Sequence, residues 1–188
     1  MYSLRFNPFP EWKGNGVNWF FLGFNQMLID LSKEFAGVSN LKMLEIGSYR
    51  GESTFLFASL GIFDEIHCID PFDGYEEAND VLNTNWKDVK KEFELNTRYF
   101  DNIKLHQDFS YNIHHTFEDE YFDFIYIDGN HGYEELRKDI ELFLPKCKYI
   151  IAGHDYNDYW TTVVSAVDST VGVPDRLYPD SSWLKFIK

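Results

Sequence analysis

Short apolar runs alternate with segments whose apolar residues recur every three or four positions, and this alternation outlines the chain. Leu41 to Ile46, Glu65 to Asp70, Ile103 to Gln107, Phe122 to Asp128 and Cys147 to Gly153 have the length and composition of buried strands. Helical spacing lies between and around them. Val17, Phe20, Phe21, Phe24, Met27, Leu28, Leu31 and Phe35 form one broad apolar face, with Gly37 as a stop. Ser53 to Leu60 predicts a second helix, ended by Gly61. Leu82, Trp86, Val89 and Phe93 predict one long helix or two short ones within 78–100. Leu136, Ile140 and Phe143 mark a further helix, stopped by Pro145, and Val163, Val167 and Val171 mark a last one over 162–171. Two terminal strands, 172–178 and 182–187, complete the pattern.

Strands that alternate with helices predict an α/β fold: a mostly parallel sheet with right-handed crossovers and helices on both faces. The 188 residues suit a single domain, with an N-terminal arm and helix over 1–37 and the alternating core over 38–188. In such a sheet all parallel strands end along one edge, where ligands bind at the switch in strand order. Gly47, Asp70, Asp108, Asp128 and Asp155, far apart in sequence, are therefore expected on one rim.

The chemistry concentrates at the first of these strand ends. Residues 41–57 read LKMLEIGSYRGESTFLF: a strand, a turn from Gly47 through Ser48 to Gly51, and a helix opening at Glu52, Ser53 and Thr54. A helix N-terminus offers unpaired N–H groups, and a glycine turn lets a ligand approach the backbone. Glu45 just before the turn has the wrong sign for a phosphate and suits an ammonium or sulfonium group. Asp70, at the end of the next strand, is placed to accept hydrogen bonds from two ribose hydroxyls, although an aspartate in a loop also serves as a cap.

Glu45-x-Gly47-x-x-x-Gly51 resembles motif I of the class I S-adenosylmethionine (SAM) dependent methyltransferases, with Tyr49 where a further glycine is usual. The resemblance runs over roughly residues 38–188. It implies a Rossmann-like seven-stranded sheet whose last strand is antiparallel. It also implies a SAM site at Glu45, Gly47, Ser48, Gly51, Ser53 and Asp70, with Asp108 holding the adenine amino group and Phe109 flanking the ring. Asp108 and Ser110 are equally placed as helix caps. The glycine spacing does not fit the nicotinamide-binding pattern GxGxxG.

Asp128 and Asp155 end consecutive strands, and two carboxylates on one rim repel unless something neutralises them. A divalent cation such as Mg2+ would do so. Asp128-Gly-Asn-His131 followed by Gly-His154-Asp155-Tyr156 resembles the small-molecule O-methyltransferases, of sugar and catechol type, some of them metal-dependent. That resemblance implies Asp128 and Asp155 as metal ligands, His131 as the base for an acceptor hydroxyl, and a small-molecule acceptor. The side-by-side Asp-Asn pair of the catechol type is absent. His154 is the second candidate base, while His67 and His106 fall inside strands and read as structural. A module that keeps the fold without turnover is the competing reading.

Composition narrows the partners. A formal charge of −14 with scattered Lys and Arg argues against nucleic acid and anionic membranes. The only two cysteines, Cys68 and Cys147, fall in strands and read as buried thiols. No leader pattern or long apolar span appears, so a cytoplasmic location is expected. The aromatic arm over 1–16 is open to use as a lid, as a contact in a homo-oligomer, or simply as packing. Trp12, Trp19, Phe72, Tyr75 and Trp160 would suit a ring or sugar face of the acceptor, and equally the core.

Overall fold

The structure is a computed structural model that describes residues 23–73 and 86–188. The expected arm over 1–16, the first turns of the helix begun at Val17, and the segment 74–85 with Tyr75 and Leu82 lie outside the described residues. The elements in order are α1 (Gly23–Glu34), β1 (Leu41–Ile46), α2 (Glu52–Leu60), β2 (Phe63–Ile69), α3 (Trp86–Thr97), β3 (Ile103–His106), the single turn α4 (Ser110–Ile113), β4 (Phe122–Ile127), α5 (Tyr133–Phe143), β5 (Cys147–Gly153), α6 (Thr161–Thr170), β6 (Arg176–Leu177) and β7 (Trp183–Phe186).

The strands form a seven-stranded sheet in the order β3-β2-β1-β4-β5-β7-β6. The β1–β2, β1–β4, β2–β3 and β4–β5 pairs are parallel, and β7 runs antiparallel to both β5 and β6. The order reverses between β1 and β4, which therefore border the switch point. Central strands packed on both faces favour near-continuous apolar runs, and β4 (FDFIYI) is buried from end to end, with Asp123 satisfied by the Lys42 N–H at 2.8 Å. Its side chains alternate between two cores. Phe124 and Tyr126 join Phe24, Leu31, Phe57 and Phe93 of α1, α2 and α3 on one face. Ile125 and Ile127 join Leu136, Ile140, Val163 and Val167 of α5 and α6 on the other.

The expected elements are met closely except at the terminal pair. Only Arg176–Leu177 of the strand expected at 172–178 is regular. Gly172 has φ +76°, and Pro174 has no N–H to offer a ladder. The rest of that edge is held by the Asp175 carboxylate, which accepts from the Phe186 N–H at 2.9 Å. The α1 helix docks on the same hairpin. Arg176 bridges to Glu34 at 2.7 Å and Asp30 at 3.4 Å. A Cβ on Gly23 would meet Asp180 Oδ1 at 2.2 Å, so helix and hairpin touch through backbone. Cys68 and Cys147 are buried free thiols. Among the described residues no helix is long and apolar enough to cross a membrane.

Phe57 ties one core together. Its ring makes edge contacts with Phe24, Phe124 and Tyr126 at centroid distances of 5.1, 5.5 and 5.1 Å. Phe57→Ala is expected to cost about 3–5 kcal/mol. Urea unfolding should show this as a lower midpoint at unchanged slope.

Candidate functional site

At the switch point the backbone itself sets the geometry. Gly47 N–H donates to Ile69 O at 2.9 Å and Asp128 N–H to Ile46 O at 2.8 Å, so the ladder runs one residue past each strand. Gly47 has φ +85°, and a Cβ there would lie 2.1 Å from Asp128 O. Only glycine allows the β1 turn to pass this close to the β4 end. Three non-glycine residues on the strand-end loops also have positive φ: Tyr49 at 47°, Phe72 at 55° and Asp155 at 61°. Strain of this kind persists where the surroundings over-determine it, and it concentrates at functional sites.

The loops enclose a cavity of about 700 Å3, lined by the Gly47–Arg50 turn, Asp70, the Phe109–Tyr111 segment, the Asp128–His131 loop, and His154 and Asp155. At one end, Asp70 accepts from Tyr49 N–H at 2.7 Å and Phe72 N–H at 2.8 Å, which locks the two loops together. Each carboxylate oxygen keeps a further lone pair. Burial raises the Asp70 pKa against the pull of those two N–H donors. Ser48 is buried beside Glu45, and its residue lines the cavity. The turn is braced from α3, where Asn96 donates to Arg50 O at 2.8 Å and Glu92 pairs with Arg50 at 3.2 Å. Phe109 stacks on Tyr111 at 5.2 Å and is 38% exposed, so its face is open to a ligand.

Three expected residues stand apart from this lining: Gly51, where a Cβ would meet Phe93 and Thr97 of α3 at 3.0 and 3.1 Å, Asp108 and Glu45. Asp108 turns to the start of α4, where it accepts from Phe109 N–H at 2.8 Å and Asn112 Nδ2 at 2.7 Å. These two bonds hold its carboxyl below the usual range. Ser110, one turn on, lines the cavity and donates to the buried carboxyl of Asp139, whose pKa burial raises to about 6. Glu45 is fully buried behind the glycine turn. It accepts from Ser53 Oγ at 2.5 Å and from Thr54 Oγ1, both at the start of α2. Burial, partly offset by those hydroxyls, raises its pKa to about 7.

At the other end, Asp128, His131 and Asp155 converge, with one ligating atom from each within 4.8 Å of the others. His131 Nε2 lies 2.9 Å from Asp155 Oδ2. Its ring stacks on Trp160 with centroids 4.3 Å apart. Trp160 is in turn placed by Asn157, whose side-chain oxygen accepts from the Tyr159 and Trp160 N–H groups at 2.9 and 3.2 Å. Behind the carboxylates sits His154, with Nδ1 3.3 Å from Asp155 Oδ2 and Nε2 4.0 Å from Asp180 Oδ2. Burial opposes its charge, but Asp155, Asp128 and Asp180 outweigh this and push its pKa up to about 9. Burial raises Asp128, while His131 and His154 overcome burial and lower Asp155.

The rim thus answers the repulsion foreseen from sequence with two histidines. Sequence reasoning did not find Asp180. The signal lay in topology: β7 is antiparallel to β5, with Gly153 opposite Trp183, so the β6–β7 turn returns to the same rim. Trp12, Trp19 and Tyr75 lie outside the described residues. Phe72 is buried in the core, and Trp160 stands beside His131.

The family model described as a methyltransferase domain matches residues 44–156, which carry most of the cavity lining; Asn157, Tyr159, Trp160, Asp180 and Trp183 lie beyond it. No curated protein matches in sequence. Among solved structures, a protein of Corynebacterium glutamicum is 10% identical with a TM-score of 0.60, over 86% of this chain and 78% of its own. A protein described as a caffeoyl-CoA O-methyltransferase from Staphylococcus aureus is 16% identical with a TM-score of 0.50, over 76% and 70%. A precorrin 8W decarboxylase of Methanobacterium thermoautotrophicum is 15% identical with a TM-score of 0.54, over 77% and 70%. At these identities the likeness is one of fold.

Glu45 generates a pH prediction. Its folded pKa of about 7 exceeds the ordinary 4.5, so the folded state holds a proton that the unfolded chain releases. The stabilisation is complete below 4.5 and is lost as pH rises through 7. Glu45→Gln removes the dependence. Relative to the wild type, the variant should gain on the order of 3 kcal/mol between pH 4.5 and 8 in urea unfolding. A constant difference across that range would show that Glu45 is ionised in the fold.

Proposed function

Because the chain belongs to the methyltransferase-domain family, we propose that it moves the methyl group of SAM to a hydroxyl of a small molecule, a sugar or a phenol-like ring. The observation that supports this most directly is one cavity of about 700 Å3. It has a glycine turn and a strand-end carboxylate at one end and the Asp128–His131–Asp155 group at the other.

The donor end fits SAM on three counts. The Gly47 turn admits a ligand to the backbone. Ser48, buried beside Glu45, lines the cavity directly after that turn. Asp70 has lone pairs to spare for two ribose hydroxyls and is itself fixed by two backbone donors. The adenine would lie against Phe109. Ser110 and Asp139, rather than Asp108, are the polar side chains that face the cavity there.

At the acceptor end the chemistry is an in-line displacement. The hydroxyl oxygen forms a bond to the methyl carbon as the carbon–sulfur bond breaks. The sulfur keeps the electron pair and leaves as a neutral thioether, and the hydroxyl gives up its proton. SAM is already reactive, so positioning supplies most of the acceleration. Trp160 and the 81% exposed Tyr159, whose rings meet edge-on at 5.1 Å, offer an apolar wall for the face of a ring. Asp128 and Asp155 would hold a divalent cation, which would orient the hydroxyl and lower its pKa. His131 is the base implied by sequence. Its Nε2 is engaged by Asp155, so in that role the other ring nitrogen would have to face the acceptor.

Calorimetric titration of the full chain with S-adenosylhomocysteine should show saturable one-to-one binding, weakened at least tenfold by Asp70→Ala. Asp128→Asn should bind the same ligand unchanged while losing at least a hundredfold in methyl transfer from labelled SAM to a panel of catechols and sugars. Absence of binding by the wild type would overturn the reading and favour a fold retained without turnover.

A further inference from the structure

We propose that His131 is itself a metal ligand: with Asp128 and Asp155 it forms a mixed nitrogen–oxygen site that takes a divalent transition ion, such as Zn2+ or Mn2+, in preference to Mg2+. The role of the cation rests on the methyltransferase reading, but its binding does not.

The donor geometry carries the argument. His131 Nε2 and Asp155 Oδ2 are 2.9 Å apart, and an atom of Asp128 completes a set whose members all lie within 4.8 Å. Two ligands at about 2.1 Å from one ion and at right angles lie roughly 3 Å apart, and opposite ligands roughly 4.2 Å apart. The His131–Asp155 spacing is that of two adjacent ligands, and the Asp128 carboxylate lies near enough to complete the set by a small side-chain movement. The three come from two loops, after β4 and after β5, that meet across adjacent parallel strands.

The ring is also set up as a ligand rather than as a mobile base. Stacking on Trp160 at 4.3 Å fixes its plane, and that plane points Nε2 at the carboxylates. Ligating side chains are commonly oriented by an outer layer of polar groups, and such a layer is present. His154 Nδ1 lies 3.3 Å from Asp155 Oδ2, and His154 reaches back towards Asp180, which Ser182 holds through its N–H at 3.1 Å and its Oγ at 2.9 Å. Both histidines line the cavity, but the His154 side chain is 6% exposed against 20% for His131, so His131 is the more open of the two.

The choice of ion follows from the donor set. Mg2+ prefers oxygen donors and keeps much of its water, whereas imidazole suits Zn2+, Fe2+ and their neighbours. An aspartate at position 131 would make the set all-oxygen.

Mn2+ alone, titrated into the chelator-treated full-length protein and followed by electron paramagnetic resonance, tests this without turnover. The wild type should bind one ion per chain with a 14N coupling in the spin-echo spectrum, and Mg2+ should compete at least a hundredfold more weakly. Asp128→Asn should lose the site. His131→Asp should keep Mn2+ within tenfold, lose the 14N coupling, and narrow the gap between Mn2+ and Mg2+ at least tenfold. A bound ion without 14N coupling in the wild type would overturn the proposal and return His131 to the role of base. Coupling that survives in His131→Asp would overturn it in favour of His154. Failure to bind Mn2+ while S-adenosylhomocysteine still binds would remove the metal and leave the methyltransferase reading intact. Mn2+ binding without S-adenosylhomocysteine binding would do the reverse.

Discussion

The seam between β1 and β4 is the constraint on which the rest of the site depends. A parallel sheet with helices on both faces has no opening except where neighbouring crossovers leave in opposite directions. Here that place is narrow enough that Gly47 passes the Asp128 carbonyl with no room for a side chain. The close approach has two effects. It turns the Ser48–Arg50 loop outward over the rim, where α3 braces it through Glu92 and Asn96. It also puts the Asp128 side chain beside the turn, so that the two ends of the cavity are contiguous. A Cβ at position 47 would push these strand ends apart, and both ends would lose their register together.

The second constraint is charge. Asp128, Asp155 and Asp180 come from three different loops, and such a group would not stay buried uncompensated. His154, held among them, supplies a positive charge from within the protein, and His131 closes the group from the cavity side. The cluster can therefore fold before any ligand arrives. It also has a replaceable member: a cation can stand where the proton between His131 and Asp155 stands, because the spacing suits both. Glu45 shows the opposite solution on the far side of the turn. It meets burial with a pKa raised to about 7, with two hydroxyls from α2 around it.

Much of this was legible in the sequence because periodicity and turn chemistry are local. The strands ending at Ile46, Ile127 and Gly153 and the helices begun near Glu52, Tyr133 and Thr161 follow from apolar spacing and from Gly and Pro at their ends. Once those strands were fixed, the handedness rule placed Gly47, Asp70, Asp128 and Asp155 on one rim. Side-chain direction was not legible. Asp108 and Glu45 sit at the right ends of the right strands, yet one is taken up by the Phe109 N–H and the Asn112 side chain and the other is buried beneath α2. A carboxylate next to a helix start has backbone or hydroxyl donors within reach, and these compete with any ligand for it. Nothing local in the sequence indicates which will win.

Asp180 marks the deeper limit. The residue lies in a tight turn between two short strands, and Pro179 and Ser181 around it read as ordinary turn chemistry. Its importance comes from the reversal of β7. A parallel seventh strand would have carried this turn to the opposite edge of the sheet, about 13 Å away for a strand of four residues. Antiparallel pairing with β5 instead returns it behind His154, and α1 closes over it through Gly23. The same reversal places Trp183 against Gly153, where a Cβ would meet its indole nitrogen at 2.8 Å. The end of β5, and with it the loop that carries His154, Asp155 and Trp160, is thereby clamped from the side. The least regular part of the sheet thus holds the most chemically loaded loop, so the geometry of Asp155 depends on an edge pairing as much as on the central strands.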